Sequence, residues 1–215
     1  MKKSCSLGLL MILLLTLSGC SGGGGDDRQV FEAQIVSDQA ADGDIAFDPV
    51  TGAYTISSAP PVLFFGISPP EVDPNLTEFR AFLDFPLDGS TGEDLLPAVA
   101  GILSASLEGF VGEVSFAPRV PALIDLVTYP VDRLGVPDFD SPPILTQSVN
   151  FFPEDTGALV RIDITPLMRE AQRIGLSDLQ LRFLLDFTVG SGLVAIEDRP
   201  NVLLTAPLLT VLYVL

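Results

Sequence analysis

The sequence predicts an all-β protein, a jelly-roll-like β-sandwich with one short amphipathic helix at about 166–174. Three observations predict it. Twelve short stretches rich in Val, Ile, Leu and Phe recur along the chain, 18 prolines and 19 glycines punctuate it, and one segment alone carries a complete set of helix start and stop signals.

The strand-like stretches begin with VFEAQIV (30–36), DIAF (44–47), AYTIS (53–57) and VLFFGI (62–67), and continue with FRAFLDFPL (79–87), ILSASLEGFV (102–111) and LIDLVTYPV (123–131). LTQSVNFF (145–152), ALVRIDI (158–164), LQLRFLLDF (179–187), LVAIE (193–197) and LLTVLYVL (208–215) complete them. Asp48-Pro49-Val50-Thr51-Gly52 is a turn sequence, so 44–57 reads as a hairpin. The nearby Asp42, Asp44 and Asp48 lack the spacing and terminal glutamate of an EF-hand loop, and no metal site is expected. Tyr213, in the apolar closing strand, reads as a core residue.

The helix has Thr165 as a candidate cap, Pro166 for its first position and Gly175 to close it. Leu167, Met168, Ala171 and Ile174 share one face, and Arg169, Glu170, Gln172 and Arg173 the other. Such a helix is expected to pack as a lid on a β core.

An internal echo links FRAFLDF (79–85) to LRFLLDF (181–187). Strand alternation puts Phe79, Ala81, Leu83 and Phe85 on one face and Arg80, Phe82 and Asp84 on the other. The second copy places Leu181, Phe183, Leu185 and Phe187 inward, with Arg182, Leu184 and Asp186 outward. If the two strands are antiparallel neighbours, Arg80 can face Asp186 while Arg182 faces Asp84. The outer face is then a lattice of ion pairs or, through Arg80 and Arg182, a ligand-binding platform. The lattice is favoured because it gives each arginine a partner.

Composition narrows the chemistry. The only lysines are Lys2 and Lys3, so nine arginines stand against 28 acidic residues in the remainder, and the whole chain carries a formal charge of −17. Nucleic acid, bound by neutralising phosphates, is not an expected partner. Histidine and tryptophan are absent and the cysteines are Cys5 and Cys20 alone. That leaves out Ser-His-Asp and Cys-His nucleophile systems and His- or Cys-based zinc sites, and no cofactor is implied. A carboxylate pair could still support glycoside hydrolysis.

Residues 1–19 have the layout of a secretory signal, with Lys2 and Lys3 before an apolar run from Leu7 to Leu17 that is too short to span a membrane. Leu17-Ser18-Gly19-Cys20 resembles the lipobox of bacterial lipoproteins. The resemblance implies cleavage before Cys20, acylation of Cys20 and anchoring in a membrane. Ser21 after that cysteine implies sorting to the outer membrane. Residues 20–29, with Ser21-Gly22-Gly23-Gly24-Gly25, then form a flexible linker, and 30–215 a single domain.

Further along, Arg80 to Leu87, Ile102 to Leu107, Arg161-Ile162-Asp163-Ile164-Thr165, Leu181-Arg182-Phe183 and Pro207 to Tyr213 follow one another in an order that resembles the DNRLRE-domain proteins. These are bacterial extracellular β-sandwich modules related to jelly-roll carbohydrate-binding modules. The resemblance implies the sandwich fold and makes a glycan or an envelope protein the expected partner. Tyr54, Tyr129 and Tyr213 are the only tyrosines, so the ring platforms on which such modules stack sugars are scarce. The function expected is therefore that of a non-catalytic lipoprotein module for binding, adhesion or envelope assembly. A carboxylate-dependent, polysaccharide-active enzyme is the alternative.

Overall fold

A computed structural model of the chain describes residues 29–91, 94–188, 190, 192–199 and 205–215. The signal segment, Cys20 and most of the linker lie outside the described residues.

The protein is an all-β sandwich made from one curled antiparallel sheet. Its strands are β1 (Val30–Val36), β2 (Gly43–Asp48), β3 (Ala53–Ser58), β4 (Val62–Ile67), β5 (Glu78–Pro86) and β6 (Gly101–Ser115), then β7 (Val120–Val127), β8 (Leu145–Phe151), β9 (Ala158–Asp163), β10 (Asp178–Leu185), β11 (Gly192–Glu197) and β12 (Leu208–Val214). All twelve expected stretches form strands. The hairpin at 44–57 is formed by β2 and β3, and its turn is held by Asp48 Oδ1, which accepts from the amides of Val50 at 2.8 Å and Thr51 at 3.1 Å.

One limb of the sheet runs β3-β2-β5-β10-β7-β8. The other is built on β6, which is longer than its apolar pattern suggested because it serves three neighbours: β12 along 101–108, β11 along 110–115 and β9 along 106–111. Residues 106–108 pair with β12 and β9 at once, so these two strands lie on opposite edges of β6. β1 adds to β12, and β4 adds to β11. The limbs join where Gly66 and Ile67 of β4 pair with Phe79 and Glu78 of β5.

Between the limbs lies the main core. Phe65 of β4 meets Phe151 of β8 and Phe183 of β10, with ring centroids 5.4 and 5.6 Å apart. Burying a side chain of this size stabilises by about 1.5–3 kcal/mol. Tyr213 is buried here, stacked on Phe31. Phe187 is not; it lies past the end of β10 and is 48% exposed.

The sheet's other face on β5 and β10 is also covered. Phe82 and Ile45 join Val127, Tyr129, Leu134 and Phe139 in a second, smaller cluster, packed against by Phe47 and Tyr54 of the hairpin. The segment after β7, which carries the short helix α1 (Val136–Phe139), lies over this face. The expectation of an exposed outer face there is corrected: Phe82, Asp84 and Arg182 are all buried.

The amphipathic helix, α2 (Thr165–Ile174), packs Leu167, Met168 and Ala171 onto the core and ends at Gly175 with φ of 74°, as expected. Two details differ. Thr165 is the first helical residue and not the cap: its hydroxyl accepts from the Ala105 amide at 2.9 Å and donates to Asp163 Oδ1 at 2.5 Å, tying the helix to β6. Ile174, at the last turn, is 40% exposed. The polar side of α2 is also engaged, since Arg169 donates to the carbonyls of Ile102 and Leu103 and Gln172 to those of Pro97 and Ala98.

Candidate functional site

Side chains at alternate positions of β1, β12, β6 and β9 point away from the core. Ala33, Ile35, Leu209, Val211, Ala105, Leu107 and Ile162 are inward and buried. The outward set is polar and falls into rows fixed by the register. Gln34, Thr210, Ser106 and Asp163 lie side by side across the four strands, Glu32, Leu212 and Ser104 form the next row, and Glu108 beside Arg161 belongs to the row on the other side. Small side chains occupy the middle and long ones the borders. The result is an open trough of about 460 Å³ lined by Glu32, Ser104, Ser106, Arg161, Asp163, Thr210 and Leu212.

Two local features shape it. A register shift between Leu212 and Tyr213 makes a bulge in β6 at Leu103, which turns outward and is 44% exposed. Arg169 of α2 holds the carbonyls at this bulge. Bulges of this kind bend the strand and re-aim its side chains.

The trough carries carboxylates, hydroxyls and one paired cation. Arg161 is bound to Glu108, and Glu32 Oε1 accepts from Gln34 at 2.7 Å. Asp163 Oδ1 accepts from both the hydroxyl and the amide of Thr165, and these bonds hold its carboxyl below the usual range, ionised at neutral pH. Among the described residues no aromatic ring lines the trough. Its chemistry suits a ligand rich in hydroxyl groups, which can donate to Glu32 and Asp163 and exchange bonds with Ser104, Ser106 and Thr210.

The residues picked out by the sequence echo occupy another place. β5 and β10 are antiparallel neighbours, but the register sets Arg182 opposite Phe82 and Gln180 opposite Asp84, two residues away from the expected alignment. The pairs Arg80–Asp186 and Arg182–Asp84 are therefore not formed. Arg182 instead faces Asp125 on its other neighbour, β7, and binds it at 2.6 Å with both side chains 4% exposed. Its Nη1 donates to the carbonyls of Asp138 at 3.1 Å and Phe139 at 2.8 Å. Arg80 pairs with Glu78 at 2.6 Å and Asp140 at 3.0 Å, donates to the same Phe139 carbonyl, and lies 3.8 Å from the Phe139 ring centroid. The two guanidinium groups thus converge on Phe139 and clamp α1 to the sheet, and their donors are turned to protein partners.

Asp84 is hydrogen-bonded by Gln180 at 2.8 Å, and burial pushes its carboxyl up to about 6. Gln180 also receives the Tyr129 amide at 2.7 Å. Beside them is a cavity of about 200 Å³ lined in part by Tyr129, Asp178 and Gln180. It is smaller than typical small-molecule sites, which run from about 300 to 1,000 Å³.

Sequence reasoning did not single out the trough residues. Their signal was present as the polar alternation in VFEAQIV, ILSASLEG and LLTVLYV. What was missing is that these strands, far apart in sequence, are neighbours.

The fold and trough define a class, a β-sandwich with a polar open groove on one sheet face. No protein-family model and no curated protein sequence matches the chain.

Proposed function

We propose that the protein is a lipid-anchored protein of the bacterial cell envelope, held at the outer membrane through Cys20, with a non-catalytic sandwich that binds a glycan of the envelope or its surroundings in the trough. The observation that carries the binding reading is the set of register-aligned hydroxyl and carboxyl groups around small central side chains. The DNRLRE-like order of motifs supports the same reading.

The polysaccharide-active alternative needs two carboxyl groups about 5–9.5 Å apart, one of them protonated at the working pH. Glu32 and Asp163 lie on β1 and β9, three strand spacings or roughly 14 Å apart across the sheet and in adjacent rows. Asp163 is also held in the ionised state by Thr165. The separation favours binding without catalysis, while the ionised Asp163 would suit the base or nucleophile of such a pair and decides nothing between the two.

The test is a glycan array probed with the wild type and Ser106→Tyr, which fills the centre of the trough without touching the core. Wild-type binding that is lost in Ser106→Tyr, with an unchanged melting temperature, is expected. Equal binding by both proteins would remove the trough from the proposal. Turnover of a bound polysaccharide would restore the enzyme.

A further inference from the structure

Two carboxyl groups distant in sequence meet in the interior. Asp42 lies just before β2 and is 1% exposed; Asp198 follows β11 and is 0% exposed. Their backbones are fixed by other segments: the Ala59 amide donates to the Asp42 carbonyl at 2.9 Å, the Asp198 amide to Pro61 at 3.0 Å, and Gln39 Nε2 to the Asp198 carbonyl at 2.7 Å. Asp42 Oδ1 accepts from the Asp84 amide at 2.6 Å. Asp42 Oδ2 and both carboxyl oxygens of Asp198 receive no such donor. The Ser37 hydroxyl, 4% exposed, lies beside both carboxyl groups and partly offsets the effect of burial on each, without making a hydrogen bond of good geometry to either.

The charged surroundings are acidic. Asp38 comes from the turn after β1 and Asp84 from β5, with Asp178 of β10 and the Tyr129 phenol beyond Asp84. Arg199 follows Asp198 in the chain, but its side chain is half exposed and pairs with Glu197 at 3.7 Å. Two ionised carboxylates side by side, buried, with no cation against them among the described residues, would carry both a desolvation cost and mutual repulsion. One proton removes both problems, because it neutralises one group and supplies the missing donor between the two.

We propose that Asp42 and Asp198 share a proton and so form a latch that ties the end of β11 to the turn between β1 and β2, and that losing this proton loosens the junction. Asp198 is pushed up to about 6 by burial, and burial together with the charge of Asp198 raises Asp42 well above the carboxylate range. The sign follows. A carboxyl raised above its unfolded value of 3.8 contributes stability that is fully present below that value and is lost as pH climbs through about 6. The latch is therefore closed in mild acid and weakened above neutrality, opposite to the usual salt-bridged aspartate.

A bound cation is the competing way to satisfy these oxygens. Calcium takes 6–8 oxygen ligands, whereas the described residues contain no group of three or more Asp, Glu, His or Cys placed to hold a metal ion.

The test is urea unfolding of the full chain at pH 5 and pH 8, for wild type, Asp198→Asn and Asp42→Asn, with and without millimolar calcium. Between these two pH values Asp198 alone should lower the wild-type folding equilibrium constant by about tenfold, and either asparagine variant should lose most of that contribution. Hydrogen exchange on the wild type gives a reading that needs no variant to fold: protection of the Ala59 and Asp198 amides, corrected for intrinsic rate, should fall at pH 8. Unchanged pH dependence in both variants, or unchanged protection, would overturn the latch. Rescue of the wild type at pH 8 by calcium would replace it with a cation site.

Discussion

Arg182 shows how one side chain can organise a face of the protein. It is a buried cation whose charge is met by Asp125 and whose remaining donors reach backbone carbonyls of the α1 segment. Asp125 is itself satisfied, since its other oxygen accepts from Thr146 at 2.5 Å. Removing one partner of such a pair strands a buried charge, and Arg182→Ala should cost about 3–5 kcal/mol. Arg80→Ala, in a partly wetted site, should cost about 1–2 kcal/mol. Urea midpoints measure both, and a cost below 1 kcal/mol for Arg182→Ala would show that the clamp is not as tight as its geometry. Neither change touches the trough, so glycan binding should persist in Arg80→Ala. Its loss without a stability change would return this arginine to the role of ligand platform.

At the scale of elements, β4 and β11 approach each other closely at two glycines. Gly66 has φ of 109°, and a Cβ placed on it would stand 2.2 Å from the Gly192 carbonyl oxygen. Neither strand can move away without breaking its pairing. Gly175, at the end of α2, has φ of 74° but open space around it. Gly175→Ala should therefore cost only the left-handed conformation, about 1–2 kcal/mol, while Gly66→Ala should cost about 4 kcal/mol or more, among the large effects of single changes. Equal melting temperatures for the two variants would count against the close approach. The element boundaries were largely legible from alternation and turn residues. The extra length of β6 was not, because a strand continues as far as it has neighbours, and its three neighbours come from distant parts of the chain.

For the whole molecule, β6 acts as a long axis. Its start is level with the first residue of β1 and the end of β12, through Val30, Val214 and Gly101, and its finish is beside β11 and β4. Fifteen residues of strand span roughly 50 Å. Under the proposed anchor at Cys20, the chain enters the domain at Val30, beside the end of β6 that carries the trough, and the half-exposed Phe116 follows its other end. This arrangement depends on the anchor. Palmitate-analogue labelling of expressing cells should mark the wild type and not Cys20→Ala, with the latter released from the membrane fraction; equal labelling would remove the anchor.

By itself the sequence determined the all-β class, twelve strand positions, the helix and its glycine stop, and the absence of histidine- and tryptophan-based chemistry. These are local properties, set by alternation, turn residues and composition. Only the tertiary structure decided which strands are neighbours and in what register. A shift of two residues keeps every side chain on its own face, so alternation leaves open whether Arg182 meets Asp84 or Asp125. The same is true of Glu32, Ser106, Thr210 and Asp163, which were visible as polar positions on four separate strands and became a trough through pairing alone. Asp42 and Asp198 lie 156 residues apart, and only burial against one another turns two ordinary aspartates into a pair that needs a proton.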